Sequence, residues 1–146
     1  MRIRKMLISD YRAVYDLWLG TPGMGLNERD DSEAGIKKYL LRNPETCFVA
    51  ENENRITGVI LSGHDGRRGL IYHLSVKTSE QKRGIGSALL ERAAEALKNE
   101  GISKVYVVVF KNNAAGNGFW EKRGFTIPGE SLYRAKEIIP IRHIDT

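Results

Sequence analysis

Two cations and two glycines open what reads as the longest helix of this 146-residue chain, in the run Gln81-Lys82-Arg83-Gly84-Ile85-Gly86-Ser87. Lys82 and Arg83 stand at the positive end of the helix dipole, which costs about a few tenths of a kcal/mol or more unless an anion binds there. Gly84 and Gly86 lower helix propensity but let backbone N–H groups approach a ligand closely. Both features point to a phosphate. A Walker A loop needs Gly followed by Lys and then Ser or Thr, and no such run exists here. A dinucleotide loop needs a third glycine where this chain has Leu89.

Other reactive residue types are sparse. The single cysteine, Cys47, can form no internal disulfide and has no metal-ligand spacing around it, so no metal is expected. It lies in the strand-like run Cys47-Phe48-Val49-Ala50 and reads as a buried small hydrophobe. His64 and Asp65 fall in a turn, where Asp65-Gly66 is explained by turn chemistry. His143 lies in the tail. His73 has a suitable titration range for proton transfer, but strand alternation points it to the face opposite Tyr72 and Leu74 unless a bulge shifts the register.

The net charge is +5, with 41% apolar and 28% charged residues, which is globular usage and favours anionic partners. Lys and Arg are scattered, with no basic arm and no aromatic–basic repeat, so nucleic acid is not expected as a partner. The longest apolar runs, such as residues 105–110, fall far short of the roughly 20 residues that cross a bilayer. The N-terminal stretch turns polar at Ser9-Asp10 before a signal core develops. A cytoplasmic protein without a membrane partner is expected.

The elements that must position these residues follow from periodicity. Arg2 to Leu7 reads as a strand, and Ser9-Asp10 precedes a helix carrying Val14, Leu17 and Trp18, which stops at Gly20-Thr21-Pro22-Gly23. Met24 to Arg29 reads as a mobile connection. Asp30-Asp31-Ser32 then caps a helix with Ile36, Tyr39 and Leu40 on one face. Three strands follow as a meander: Thr46 to Glu51, Ile56 to Ser62 and Leu70 to Val76. The long helix runs from about Gly84 to Glu100, then a strand from Lys104 to Phe110, a short helix from Asn113 to Lys122 and an extended tail. The order is α+β, one domain over 1–146, with no repeat and no linker.

The loop Gln81-Lys82-Arg83-Gly84-Ile85-Gly86, between a strand and an amphipathic helix, resembles the Q/R-x-x-G-x-G/A acetyl-CoA loop of the GCN5-related N-acetyltransferases. After the next strand, the run from Asn113 through Ala114, Ala115, Gly116, Phe119, Trp120, Glu121 and Lys122 to Gly124-Phe125 resembles the family's second signature, N-x-x-A-x-x-F/L-Y-E-K-x-G-F. With the matching order of elements, the resemblance covers residues 1 to about 138. It implies a central mixed, mostly antiparallel sheet flanked by helices, with a parallel strand pair splayed at the acetyl-CoA site.

The resemblance further implies that backbone N–H groups of Lys82, Arg83, Gly84, Ile85, Gly86 and Ser87 cradle the pyrophosphate, with Gln81 shaping the turn. Leu74, Ser75 and Val76 would hold the pantetheine arm by their backbone, the Leu74 N–H facing the thioester carbonyl, and Asn113 would bond the arm from the other side. The acceptor would be an amine attacking directly in a ternary complex, and a homodimer stays open. Two positions depart from the family. Trp120 stands where many members carry the tyrosine that protonates the leaving thiolate, so it reads as a core or cofactor-packing aromatic. Leu70 and Val108 stand where relatives often carry a base. Tyr72 shares strand parity with Leu74 and would orient a water. The segment Gly23 to Asp31, which joins the first two helices, would overhang the acceptor side. A non-catalytic acyl-CoA-binding module is the alternative from another class.

Overall fold

The computed structural model describes residues 1–144. Strands β1 (Arg2–Lys5), β3 (Phe48–Asn52), β4 (Arg55–His64), β5 (Gly69–Val76) and β6 (Val105–Val107) form one sheet in the order β1-β3-β4-β5-β6. All neighbours are antiparallel except β5 and β6, which run parallel across the crossover helix α3 (Ile85–Asn99). A second, two-stranded ribbon joins β2 (Leu26–Asn27) to β7 (His143–Ile144). Helices α1 (Tyr11–Leu19), α2 (Glu33–Arg42) and α4 (Ala114–Lys122) complete the described elements.

The period-2 alternation of the central strands divides the core into two layers. On one face, Val49 of β3 with Val59 and Leu61 of β4 pack against Val14 and Trp18 of α1 and Ile36 of α2. On the other, Phe48, Ala50, Ile60 and Ile71 meet Ile85, Leu89 and Ala93 of α3 and Trp120 of α4. Turns fit their residues. Glu53 and Asn54, at φ 50° and 63°, join β3 to β4 in the left-handed conformation that suits a two-residue hairpin. The Asp65 carboxylate accepts N–H bonds from Arg67 and Arg68, each 2.8 Å, in the next turn.

Three local expectations need correction. Met24 to Arg29 is not a loose connection: Leu26 is fully buried and pairs with Ile144, and the N–H of Glu28 donates to the Arg142 carbonyl at 3.0 Å. An apolar side chain sent into the α1–α2 core holds the segment down. The strand expected over Lys104 to Phe110 stops at Val107, because β5 and β6 pair only at Gly69↔Val105, Leu70↔Tyr106 and Ile71↔Val107. Beyond that point residues 108–110 have no strand neighbour to pair with. Finally, strand parity breaks in β5. Leu61 pairs with His73 but Ser62 pairs with Ile71, so Tyr72 is the extra residue of a β-bulge. Tyr72 and His73 therefore both turn to the α1/α2 face, while Leu74, opposite Ile60, packs toward α3.

The connection between α1 and α2 is held tightly at its far end. Ser32 caps α2 by accepting from the Gly35 N–H at 3.0 Å. A Cβ on Gly35 would lie 2.4 Å from the carbonyl oxygens of both Arg29 and Asp30. Gly35→Ala is therefore expected to destabilise the fold by about 1–3 kcal/mol, because backbone rather than a movable side chain must yield. Urea denaturation measures this, and an unchanged midpoint would show that the wall is looser than its packing implies.

Candidate functional site

After β5, a 3₁₀ turn (Thr78–Glu80) leads into the start of α3. The Gln81 side-chain amide donates to the Val76 carbonyl at 3.1 Å and so closes the loop back onto the strand end. Lys82 at φ 64° and Gly84 at φ 82° are both left-handed and flank Arg83, an arrangement that turns successive N–H groups toward a common point. For a lysine that conformation is strained by roughly 1 kcal/mol or more. Helix α3 has no side-chain N-cap, and the Gly84 carbonyl takes the first helical bond, from the Ala88 N–H at 3.0 Å. The N–H groups of Ile85, Gly86 and Ser87 thus have no intrahelical acceptor and sit at the positive end of the dipole.

Cations surround this helix end. Arg83 is tethered to Glu80 at 3.1 Å. Arg123, at the end of α4, lies 3.6 Å above the Phe119 ring and donates to the Ser87 hydroxyl, from Nε at 3.2 Å. Sequence reasoning missed Arg123: its link to Ser87 spans 36 residues and depends on how α4 docks. A strained lysine, uncapped N–H groups and an added arginine all fit an anionic ligand, and phosphate is the group that such helix starts take.

The loop lies at one end of an opening in the sheet. Beyond Ile71 and Val107, β5 and β6 separate, with residues 72–76 on one side and 108–110 on the other. Leu74, Ser75 and Val76 stay paired to β4 through Ile60, Val59 and Gly58. The Ser75 side chain turns away from α3 to share a 2.7 Å hydrogen bond with Thr21. Across the opening, Asn113 caps α4, its Oδ1 accepting from the Gly116 N–H at 2.9 Å. Trp120 is 8% exposed and packs edge-on against Phe119 and Phe125, with centroids 5.0 and 4.9 Å away. Leu74, Asn113 and Trp120 thus line one cavity, while Gln81 and Gly86 adjoin the end of β5 at Val76 and Ser87 is tied to the end of α4 through Arg123.

Tyr72, at the bulge, borders the same cavity, of about 1180 Å³, whose walls also include the α1–α2 connection, Tyr39, Phe110 and Arg142. Its ring meets Tyr39 edge-on at 5.6 Å. Burial, with Tyr133 and Asp30 nearby, pushes the Tyr72 phenol above its ordinary range. Cys47 is excluded from chemistry: its thiol donates to the Ser62 carbonyl at 3.1 Å, and burial pushes it up to about 12.

The same cavity holds a pair that sequence reasoning did not assemble. His73 Nε2 lies 2.8 Å from Asp31 Oδ1, with both residues buried. The other Asp31 oxygen accepts from the Asn27 N–H at 2.8 Å, and Tyr11 donates to the Asp31 carbonyl at 2.7 Å. Strand parity set His73 opposite Tyr72, whose face it shares, and Asp31 read as part of a helix cap; the bulge at Tyr72 carried no sequence signal. Among the described residues, Nδ1 of His73 and Nε1 of Trp18 are buried without a partner, on rings 4.8 Å apart.

Residues 11–125 match the model of the Acetyltransferase (GNAT) family. An acetyltransferase of Pectobacterium atrosepticum is 34% identical over 122 residues, covering 84% of this chain and 85% of that one. The fold superposes on the PaiA N-acetyltransferase of Thermoplasma acidophilum, solved in complex with coenzyme A, with a TM-score of 0.73 and 20% identity over 87% of this chain and 90% of that one. It also superposes on the ribosomal-protein-S18-alanine N-acetyltransferase of Escherichia coli, with a TM-score of 0.67 and 20% identity over 88% and 79% of the two chains.

Trp120 serves the α3-side core whatever else it touches. Trp120→Ala is expected to cost about 3–5 kcal/mol through the cavity it leaves, and Trp120→Phe much less. Denaturation of both variants checks this, and an alanine variant within about 0.5 kcal/mol of the parent would remove Trp120 from the core.

Proposed function

Because this chain belongs to the Acetyltransferase (GNAT) family, we propose that it transfers an acetyl group from acetyl-CoA to a primary amine by direct attack in a ternary complex. The observation that carries this reading is the continuity of the uncapped, cation-flanked start of α3 with the opening between β5 and β6. Acetyl-CoA supplies the activated acetyl thioester. Backbone N–H groups of Lys82 to Ser87 bind its pyrophosphate, with Gln81 bracing the loop. The parted strands leave backbone groups along Leu74, Ser75 and Val76 free of a β6 neighbour, and an amide-bearing arm offers them partners. Asn113 and Trp120 border the same space from the α4 side.

The chemistry asks the chain for two things. Charge builds on the thioester oxygen as the amine attacks, and a preorganised donor there, which we assign to the Leu74 N–H, contributes about 2.7–4 kcal/mol. The leaving thiolate needs little help, since a thiol with an ordinary pKa of about 8.5 is already a fair leaving group. Indole N–H is no acid in that range, so Trp120 gives no proton. Tyr72, which lines the cavity, orients a water at the acceptor side. The acceptor enters through the cavity walled by Gly23 to Asp31, where Met24 offers apolar contact and Asp30 offers negative charge to a cationic amine, Glu28 being paired with Arg142 at 3.5 Å.

Free CoA release from acetyl-CoA, measured against a panel of polyamines, aminoglycosides, amino acids and peptides, tests the reaction; no release with any amine would count against it. Gly84→Val tests the placement of the co-substrate. A β-branched residue at φ 82° strains the loop and fills the space the phosphate needs. Its coenzyme A dissociation constant is expected to rise at least about tenfold by calorimetry, equivalent to roughly 1.4 kcal/mol. Undiminished binding would contradict the placement.

A further inference from the structure

We infer that the acceptor is a small amine that also carries an anionic group, held by Lys38 and Arg42 of α2 at the wall of the cavity. This rests on the acetyltransferase reading given above and names the class of acceptor that its site takes. The charges around the cavity do not cancel. Glu28 is paired with Arg142 at 3.5 Å, and Asp31 lies 2.8 Å from the His73 ring nitrogen. Asp30, whose carboxylate accepts from the Asn27 amide at 3.0 Å, has no ion pair among the described residues. Against that one carboxylate stand three cations of the cavity wall, Arg29, Lys38 and Arg42, whose charged ends have no partner among the described residues. A polycationic acceptor would meet like charges there, whereas an acceptor with one ammonium and one anion finds a partner for each.

Helix α2 supplies a second, independent observation. Away from the cavity, Glu33 and Lys37 are opposite charges four residues apart, in the order that supports a helix. On the cavity wall the same spacing sets Lys38 four residues before Arg42, and like charges at that spacing repel. Arg42 in the last turn complements the helix dipole, but Lys38 in mid-helix has no such compensation. An anion bound between the two removes the repulsion and gives both side chains a charge-assisted partner.

The two cations stand where the far end of an acceptor would lie. Lys38, Tyr39 and Arg42 share the cavity side of α2, and the Tyr39 ring meets Tyr72 edge-on at 5.6 Å, two residues before Leu74 along β5. An amine placed beside the Leu74 N–H therefore has the tyrosine pair between it and the cations. Tyr72, Val108 and Phe110 border the same space at 52%, 66% and 53% exposure, and give the stem that joins amine to anion an apolar surface to lie on.

Matched acceptors test this, with kcat and KM measured separately: leucine and phenylalanine against leucinamide and phenylalaninamide, and phosphoethanolamine against ethanolamine, the last pair separating phosphate from carboxylate as the anion. The two amides keep the size of the acids and lose the charge, and their amines are the less basic, so amine basicity alone favours the amides. The parent protein is expected to use the anionic member of at least one pair with a kcat/KM at least about tenfold higher. The double variant Lys38→Ala, Arg42→Ala changes exposed side chains and should keep its Tm and its KM for acetyl-CoA. Its KM for that anionic acceptor should rise about tenfold, with kcat and the KM of the neutral partner near parental. Equal or better use of every neutral member by the parent would overturn the inference, as would a double variant with parental KM for the anionic acceptor, or turnover of polyamines or aminoglycosides with none of these compounds. No turnover of any amine would instead count against the acetyltransferase reading, and the amide ¹⁵N shifts of α2 on titration of the coenzyme A-loaded protein with the same pairs then decide. Shifts at Lys38 and Arg42 with the anionic members alone support the anion site; equal shifts with both members, or none, remove it.

Discussion

Three residue pairs hold β5 to β6, and the sheet parts after Ile71↔Val107. Parallel strands cannot separate inside a domain without leaving peptide groups that need partners. The cost is borne because β4 still pairs with β5 along its whole length and α3 packs beneath, so β5 is fixed without its outer neighbour. The candidate site is arranged around that separation. The loop after β5 must begin α3 just beyond the opening, and α4 must close the far side of it, with Trp120 sunk into the core and Asn113 capping the helix start. The cavity that Tyr72 and His73 border meets this opening, since Leu74, Val107 to Phe110, Asn113 and Trp120 line it too.

The bulge and the separation act together. Without the extra residue, His73 would face α3 and Tyr72 would share a face with Leu74 as simple alternation requires. With it, one short stretch of β5 serves two purposes. Leu74 to Val76 runs along the opening, while Tyr72 and His73 reach the α1–α2 connection through Tyr39 and Asp31. The Asp31 contact also ties that connection to the sheet, alongside the β2–β7 ribbon and the close approach of Gly35 to the carbonyls of Arg29 and Asp30. The α1–α2 connection is thereby joined to β5.

Much of this was legible in the sequence, for physical reasons that differ by element. The start of α3 announced itself because Lys82, Arg83, Gly84 and Gly86 are each unfavourable in a helix that binds nothing, and the structure finds both left-handed residues there. Strands β3, β4 and β5 and helices α1 to α3 followed from periodicity and caps. What stayed hidden depends on tertiary pairing. Val108 to Phe110 have the β-branched and aromatic character of a strand, yet they have lost the neighbour that would make them one. Leu26 looked like part of a loose glycine-rich connection, and only the distant Ile144 makes it a strand. The Asp31–His73 pair spans 42 residues and depends on a one-residue bulge, and Arg123 reaches Ser87 only through the docking of α4.

Coenzyme A is proposed to lie along the opening with its pyrophosphate at the start of α3. Amide hydrogen exchange with and without coenzyme A tests it residue by residue. Slowed exchange is expected at the uncapped N–H groups of Ile85, Gly86 and Ser87, at Lys82 to Gly84, and along Leu74 to Val76, with β1 and β3 unchanged. Slowed exchange confined to the α1–α2 connection or to the C-terminal segment, with residues 82–87 unaffected, would contradict it.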